Sequence, residues 1–247
     1  MDNNKNNNSP SEAQGKVYLI PTVLYDDDKA LEVLPSYILN AIKDCQVFFA
    51  ENEKTARRFF KRLWREMVID DYTWHTIHKA EYAVKAAFAQ CIKEGKNIGI
   101  ISEAGCPGVA DPGQLLISIA QQMNATVVPL VGPSSILLAL MASGMNGQSF
   151  QFVGYLPIDE NERRKSIKEL EEYSSIKSCT QLFIETPYRN NQLFKTILAT
   201  CKNETKICVA VDITSARENI KTKTVKEWKQ SNIDLHKKQV IFLLYAA

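Results

Sequence analysis

Residues 97–123 read NIGIISEAGCPGVADPGQLLISIAQQM, a strand, a loop and a helix in one pass. Within 97–102 the stretch Ile98–Ile101 has no polar residue and does not alternate, the pattern of a strand buried on both faces. From 113 to 123 the apolar residues Leu116, Ile119, Ala120 and Met123 recur at helical spacing. Between the two, residues 101–113 hold Gly105, Gly108, Gly113, Pro107, Pro112, Glu103 and Asp111. A surface turn needs one or two such residues. Loops leaving the carboxyl ends of parallel strands form the ligand crevice of open α/β sheets, which makes this connection a candidate site.

The same alternation extends in both directions. Upstream lie strand VYLIPTV (17–23), helix SYILNAIKDC (36–45), strand VFFAE (47–51) and helices EKTARRFFKRLW (53–64) and EYAVKAAFAQCIKEG (81–95). Downstream lie strand TVVPL (126–130) and GPSS opening the helix SILLALMAS (135–143). Buried strands alternating with helices predict a parallel sheet covered on both faces. The turn-rich GMNGQS (144–149) predicts a domain boundary, giving an N-terminal α/β domain over 16–144 and a C-terminal one over 145–247. In the second half, strands FQFVGYL (150–156), CTQLFIE (179–185), KICVAVDIT (206–214) and QVIFLLYA (239–246) are joined by only two clear helices, 160–173 and 190–201. A mixed sheet is expected there.

Composition narrows the function. Of 247 residues 45% are hydrophobic and 23% charged, and the formal net charge is +2, an ordinary globular balance. Binding to nucleic acid would rest on local patches, not on bulk charge. Cys45, Cys91, Cys106, Cys179, Cys201 and Cys208 show no CxxC spacing, which fits reduced thiols in a cytoplasmic protein better than a zinc site or a disulfide framework. His75 and His78 lack further ligands nearby, so no metal is expected. The Asn-rich residues 1–15 read as a disordered tail rather than a leader, and no run is apolar enough for a membrane span.

The absence of GxxxxGK[ST] and of GxGxxG after the first strand removes the usual signatures of ATP and of Rossmann dinucleotides. The loops offer instead close-approach backbone at Gly105, Gly108 and Gly132, carboxylates at Glu103 and Asp111, and hydroxyls at Ser134 and Ser135 beside a helix start. A helix N-terminus suits an anionic group, while carboxylates suit ribose hydroxyls or a cation. S-Adenosylmethionine carries a carboxylate, a ribose and a sulfonium.

SEAGCPGVADPG, VGPSS, FVGYLP, ERRKSIKEL and LFIETPYR occur in this order. The set resembles the tetrapyrrole (corrin/porphyrin) methylase superfamily over residues 16–245, and most closely its branch of small-subunit ribosomal RNA methyltransferases, which act on a cytidine 2′-oxygen. The resemblance implies two α/β domains with the ligand cleft between them, S-adenosylmethionine as methyl donor, RNA as partner and a homodimer. It places the donor contacts at Pro21, Glu103, Ala104, Gly105, Ser134, Ser135, Tyr155, Leu156, Glu185, Thr186 and Ala210. Arg163, Arg164 and Arg189 are candidate RNA contacts, and Glu185 is the candidate general base.

The chain departs from the branch at several points. Val23-Leu24 stands where the branch has Gly-Asn, Val211 where it has an arginine, and Lys238-Gln239 where it has Gly-Glu. The donor-side loops match better than the acceptor-side ones. Two other readings follow, methylation of a tetrapyrrole or another small molecule, and a donor-binding module without catalysis.

Overall fold

The computed structural model describes residues 15–27, 29–77 and 82–246. Residues 1–14 of the expected tail, and His78, lie outside the described residues. The chain forms two compact α/β units, Met1–Val23 with Leu34–Gly132 and Leu24–Val33 with Pro133–Ala247.

The first unit is built on strands β1 (Lys16–Ile20), β2 (Val47–Ala50), β3 (Thr73–Thr76), β4 (Ile98–Ile101) and β5 (Thr126–Pro129). Their spatial order is β3-β2-β4-β1-β5 and every pairing is parallel. Strands β2 and β4 are buried at every position, matching their unbroken apolar sequence. Helices α1 (Ile38–Asp44), α2 (Glu53–Leu63), α3 (Lys85–Lys93) and α4 (Gln114–Gln122) cover the sheet. Phe49, Ile98 and Ile100 pack with Phe88 of α3 and Leu116 and Ala120 of α4. On the opposite face Phe48 packs against Phe60, Tyr72 and Trp74, with ring centroids 4.8, 5.3 and 4.9 Å away. Helix α2 is amphipathic, burying Ala56, Phe59 and Phe60, and Asn52 caps it by accepting from the Lys54 and Thr55 amides.

The second unit comprises helix α5 (Ser135–Ser143), strand β6 (Phe150–Tyr155), helix α6 (Glu160–Lys177), strand β7 (Thr180–Ile184), helix α7 (Asn190–Thr200), strands β8 (Lys206–Val211) and β9 (Asn219–Thr224), helix α8 (Val225–Trp228) and strand β10 (Val240–Tyr245). The sheet order is β6-β7-β10-β8-β9, parallel between β6 and β7 and antiparallel elsewhere. This is the mixed sheet the sequence predicts. Side-chain alternation divides its core in two. Phe183, Val209 and Phe242 pack with Ile167 of α6 and Leu193, Phe194 and Ile197 of α7. Leu182, Cys208, Ala210 and Leu243 pack with Ala139 and Leu140 of α5.

That second layer moves the boundary expected after residue 144. Helix α5 covers β9 and β10, and the Thr222 hydroxyl donates to the Ser143 carbonyl at 2.7 Å. SILLALMAS carries apolar side chains nearly all round, and the second sheet buries the face that holds Ala139 and Leu140. Residues 24–33 also join this unit. The Ala216 amide donates to Asp27 Oδ2 at 3.3 Å, and the Arg217 guanidinium donates to the Tyr25 hydroxyl while lying 5.4 Å from its ring. Strand β3 was not anticipated, because TWHT lies at the sheet edge with no fully buried position to write an apolar run.

Among the described residues no helix is long and apolar enough to cross a membrane.

Candidate functional site

Parallel order sets the carboxyl ends of β1, β2, β4 and β5 along one edge of the first sheet, and the sequence-selected residues gather there. The Thr22 amide, next to Pro21, donates to the Gly105 carbonyl at 2.9 Å, tying the exit of β1 to the loop after β4. Gly132 closes on the same turn. A β-carbon there would lie 2.1 Å from Pro21 Cβ, so only glycine allows the two loops this approach. Gly113, at φ 116°, starts α4 from a left-handed conformation that other residues rarely adopt.

Acidic groups converge on this edge. The Glu103 amide donates to Glu51 Oε2 at 2.9 Å, and Glu103 Oε1 accepts from the Thr55 hydroxyl at 3.1 Å. Asp111 completes the group. Burial, followed by the charges of Glu51 and Glu103, pushes its carboxyl up to about 6. Burial and the Asp111 charge likewise raise the Cys106 thiol. Glu51, not among the sequence-selected residues, joins them; its signal in the sequence is that it directly follows the apolar run VFFA at a strand end.

In the second unit β6 and β7 run together, so Tyr155, Leu156, Glu185 and Thr186 stand at one end of that sheet. Gly154, at φ 71°, accompanies a register shift between Phe152 and Tyr155, and the Tyr155 ring is left 62% exposed. Leu156 turns inward and belongs to the core. Ser134 holds the N-cap position of α5 with extended backbone, yet its side chain makes no capping hydrogen bond. Its hydroxyl and the first amides of α5 thus remain for other partners.

Glu185 is buried beside these groups. Its Oε1 accepts from the Thr186 amide at 2.6 Å and from Arg189 Nη2 and Nε at 2.7 and 3.0 Å. Lys237 donates its amide to the Pro187 carbonyl at 2.9 Å, drawing the segment before β10 to the same end.

Burial overturns two of the sequence-selected residues. Arg163, expected at RNA, is 1% exposed; its Nη1 donates to the Ile158 carbonyl at 2.8 Å and its Nη2 to the Thr196 hydroxyl at 3.3 Å. A charge sealed in the α6–α7 layer cannot reach a phosphate. Ala210, expected at the donor, is 1% exposed and hydrogen-bonded within the sheet, in register with Ile241 on one side and Ile220 on the other. Arg164 lies on the outer face of α6, paired with Glu160 one turn away at 2.6 Å.

A family model for tetrapyrrole (corrin/porphyrin) methylases matches residues 30–229. The chain belongs to that family. It is therefore a methyltransferase, and S-adenosylmethionine is its methyl donor. Among individual proteins, it is 26% identical over 236 residues to ribosomal RNA small subunit methyltransferase I of Vibrio cholerae, covering 93% of this chain and 76% of that protein. The protein of the same name from Escherichia coli O157:H7 is also 26% identical, with 97% and 81% covered. In fold, this tetrapyrrole methylase resembles the methyltransferase CobJ, with a TM-score of 0.59, 14% identity and 95% of each chain covered. It also resembles the uroporphyrin-III-C-methyltransferase of Thermus thermophilus, with a TM-score of 0.55, 15% identity and coverage of 94% of this chain and 92% of that one.

Proposed function

We propose that this methyltransferase methylates a ribose 2′-oxygen in small-subunit ribosomal RNA. The observation that carries the acceptor is the near full-length similarity to proteins named for that RNA, 93% of the chain in one case and 97% in another. The donor side is supported by the chemistry of the carboxyl-edge loops. Glu51, Glu103 and Asp111 crowd together, an edge that favours a cationic, hydroxyl-rich guest. Pro21, Ala104 and Gly105 offer backbone beside it. In the second unit Ser134, Ser135, Tyr155 and Thr186 are the donor-binding residues of this reading, the uncapped start of α5 taking the donor carboxylate.

When bound, S-adenosylmethionine supplies an electrophilic methyl group on a sulfonium. The residues of the chain then have to position the acceptor and exclude water, which accounts for much of such a barrier. The acceptor hydroxyl must also lose a proton. Of the carboxylates described, Asp111 has a pKa, about 6, suited to accepting it near neutrality. Glu185 serves differently in this reading, as the anion that holds Arg189 toward RNA. The enzyme would act as a cytoplasmic homodimer, checked by its mass in solution.

The test is methyl transfer from labelled donor to unmodified small-subunit RNA. A methyl group on a ribose supports the proposal; label transferred to a tetrapyrrole and not to RNA overturns it.

A further inference from the structure

At the end of the second sheet where β7 leaves and β10 enters, two short segments are stapled together. Asn190 Nδ2 donates to the carbonyls of Leu235 and Lys238 at 3.4 and 2.8 Å. Asn191 works in both directions, its Nδ2 donating to Asp234 Oδ1 at 2.7 Å and its Oδ1 accepting the Leu235 amide at 2.8 Å. The Lys237 amide bonds the Pro187 carbonyl at 2.9 Å, and Lys237 itself sits at φ 59°, a conformation non-glycine residues hold only when their surroundings impose it. The segment's one carboxylate, Asp234, is occupied by Asn191 and by the His236 amide, which hold it below the usual carboxylate range.

This construction presents an aromatic pair and several cations outward. Tyr188 is 71% exposed, and the imidazole of His236 stands against its ring, 5.8 Å between centroids at 71°. Lys237 is exposed beside them and Lys238 is half-buried. Arg189 is aimed by Glu185, which takes its Nε and Nη2, while its Nη1 has no protein partner among the described residues. A fixed aromatic face bordered by cations is the combination that binds an unpaired nucleic-acid strand, the ring stacking on a base and the cations meeting phosphates. A duplex hides its base faces, so this arrangement favours an unpaired strand.

We propose that Tyr188 and His236, with Arg189, Lys237 and Lys238, form a docking platform for single-stranded RNA, Tyr188 stacking on one extruded base. The inference rests on RNA being the substrate and names where an unpaired segment of it is held.

The experiment measures binding of a short fluorescent single-stranded RNA, and of the same sequence as a duplex, to the full chain. Tyr188→Ala should weaken single-strand binding by roughly 10-fold, and Tyr188→Phe should keep it, since stacking needs the ring and not the hydroxyl. Lys238→Gln should lower the salt dependence by about one phosphate contact. Melting temperature and calorimetric binding of S-adenosylmethionine should not change in any of the three. Wild-type affinity in Tyr188→Ala overturns the platform, and so does a wild type that binds duplex as tightly as single strand. Because the readout is binding, it separates from methyl transfer: a chain that docks RNA through Tyr188 but leaves it unmethylated keeps the platform and sinks the proposed reaction.

Discussion

Glu185 and Arg189 form an ion pair across the turn that joins β7 to α7, Oε1 to Nη2 2.7 Å, with the glutamate side chain 2% exposed and the arginine side chain 32% exposed. The buried partner is thus fixed and the outer one is presented. Replacing Arg189 by Ala strands a buried carboxylate and should cost about 2–3 kcal/mol in denaturant unfolding. Glu185→Gln keeps the shape and should cost only about 1 kcal/mol, while weakening RNA binding more than it lowers turnover on saturating RNA. Loss of turnover with unchanged RNA affinity in Glu185→Gln would restore Glu185 as the base.

Asp111 gives the protein a pH signature. Its folded pKa, about 6, lies above the unfolded value of 3.8, so between those values the folded state binds more protons and stability falls as pH rises. Above pH 6 the penalty is complete. Asp111→Asn should therefore stabilise the fold by about 1–2 kcal/mol at pH 8, after allowing for solvent screening, and by much less at pH 4. The kcat/KM of the wild type should rise through pH 6 as Asp111 ionises in the free enzyme, and that limb should vanish in Asp111→Asn together with about 100-fold or more of the rate. A variant that keeps the limb would place the titrating group elsewhere.

Gly132→Ala tests the joined loops. The added carbon meets Pro21 Cβ at 2.1 Å, and neither backbone can yield without moving the Thr22–Gly105 bond. We expect a loss of about 2 kcal/mol or more and weaker binding of S-adenosylmethionine by calorimetry. An undisturbed melting curve would show that the loop relaxes freely.

Arg163 is a structural cation. Arg163→Ala should destabilise by about 3 kcal/mol or more through the cavity left between α6 and α7, and Arg163→Met by distinctly less, because the methionine refills the space without a charge to bury. RNA affinity should be unchanged in Arg163→Met. A selective loss there would return the residue to the substrate surface.

Much of this was legible in the sequence, for identifiable reasons. NIGIIS and VFFA announce central strands because a parallel sheet buries both faces, and the surplus of glycine, proline and acid in 101–113 announces a functional loop. Thr73–Thr76 leaves no such trace at the sheet edge. The boundary was misplaced because GMNGQS looks like a linker, whereas α5 belongs to whichever sheet its apolar faces cover, a tertiary fact. Charge alone cannot tell Arg163, sealed under α6, from Arg164 on its outer face one residue later. Tyr188 and His236 meet across 48 residues, as residue numbers 188 and 236 show, through the Asn190 and Asn191 staples that no local pattern reveals.

The central claim is tested most directly by mapping ribose methylation on small-subunit RNA from cells with and without this chain, then restoring the mark with purified protein and S-adenosylmethionine. One ribose should lose its 2′-O-methyl group without the protein and regain it in vitro, and regain it poorly with Asp111→Asn. An identical methylation map in both cells, with no transfer to the unmodified RNA in vitro, would contradict it.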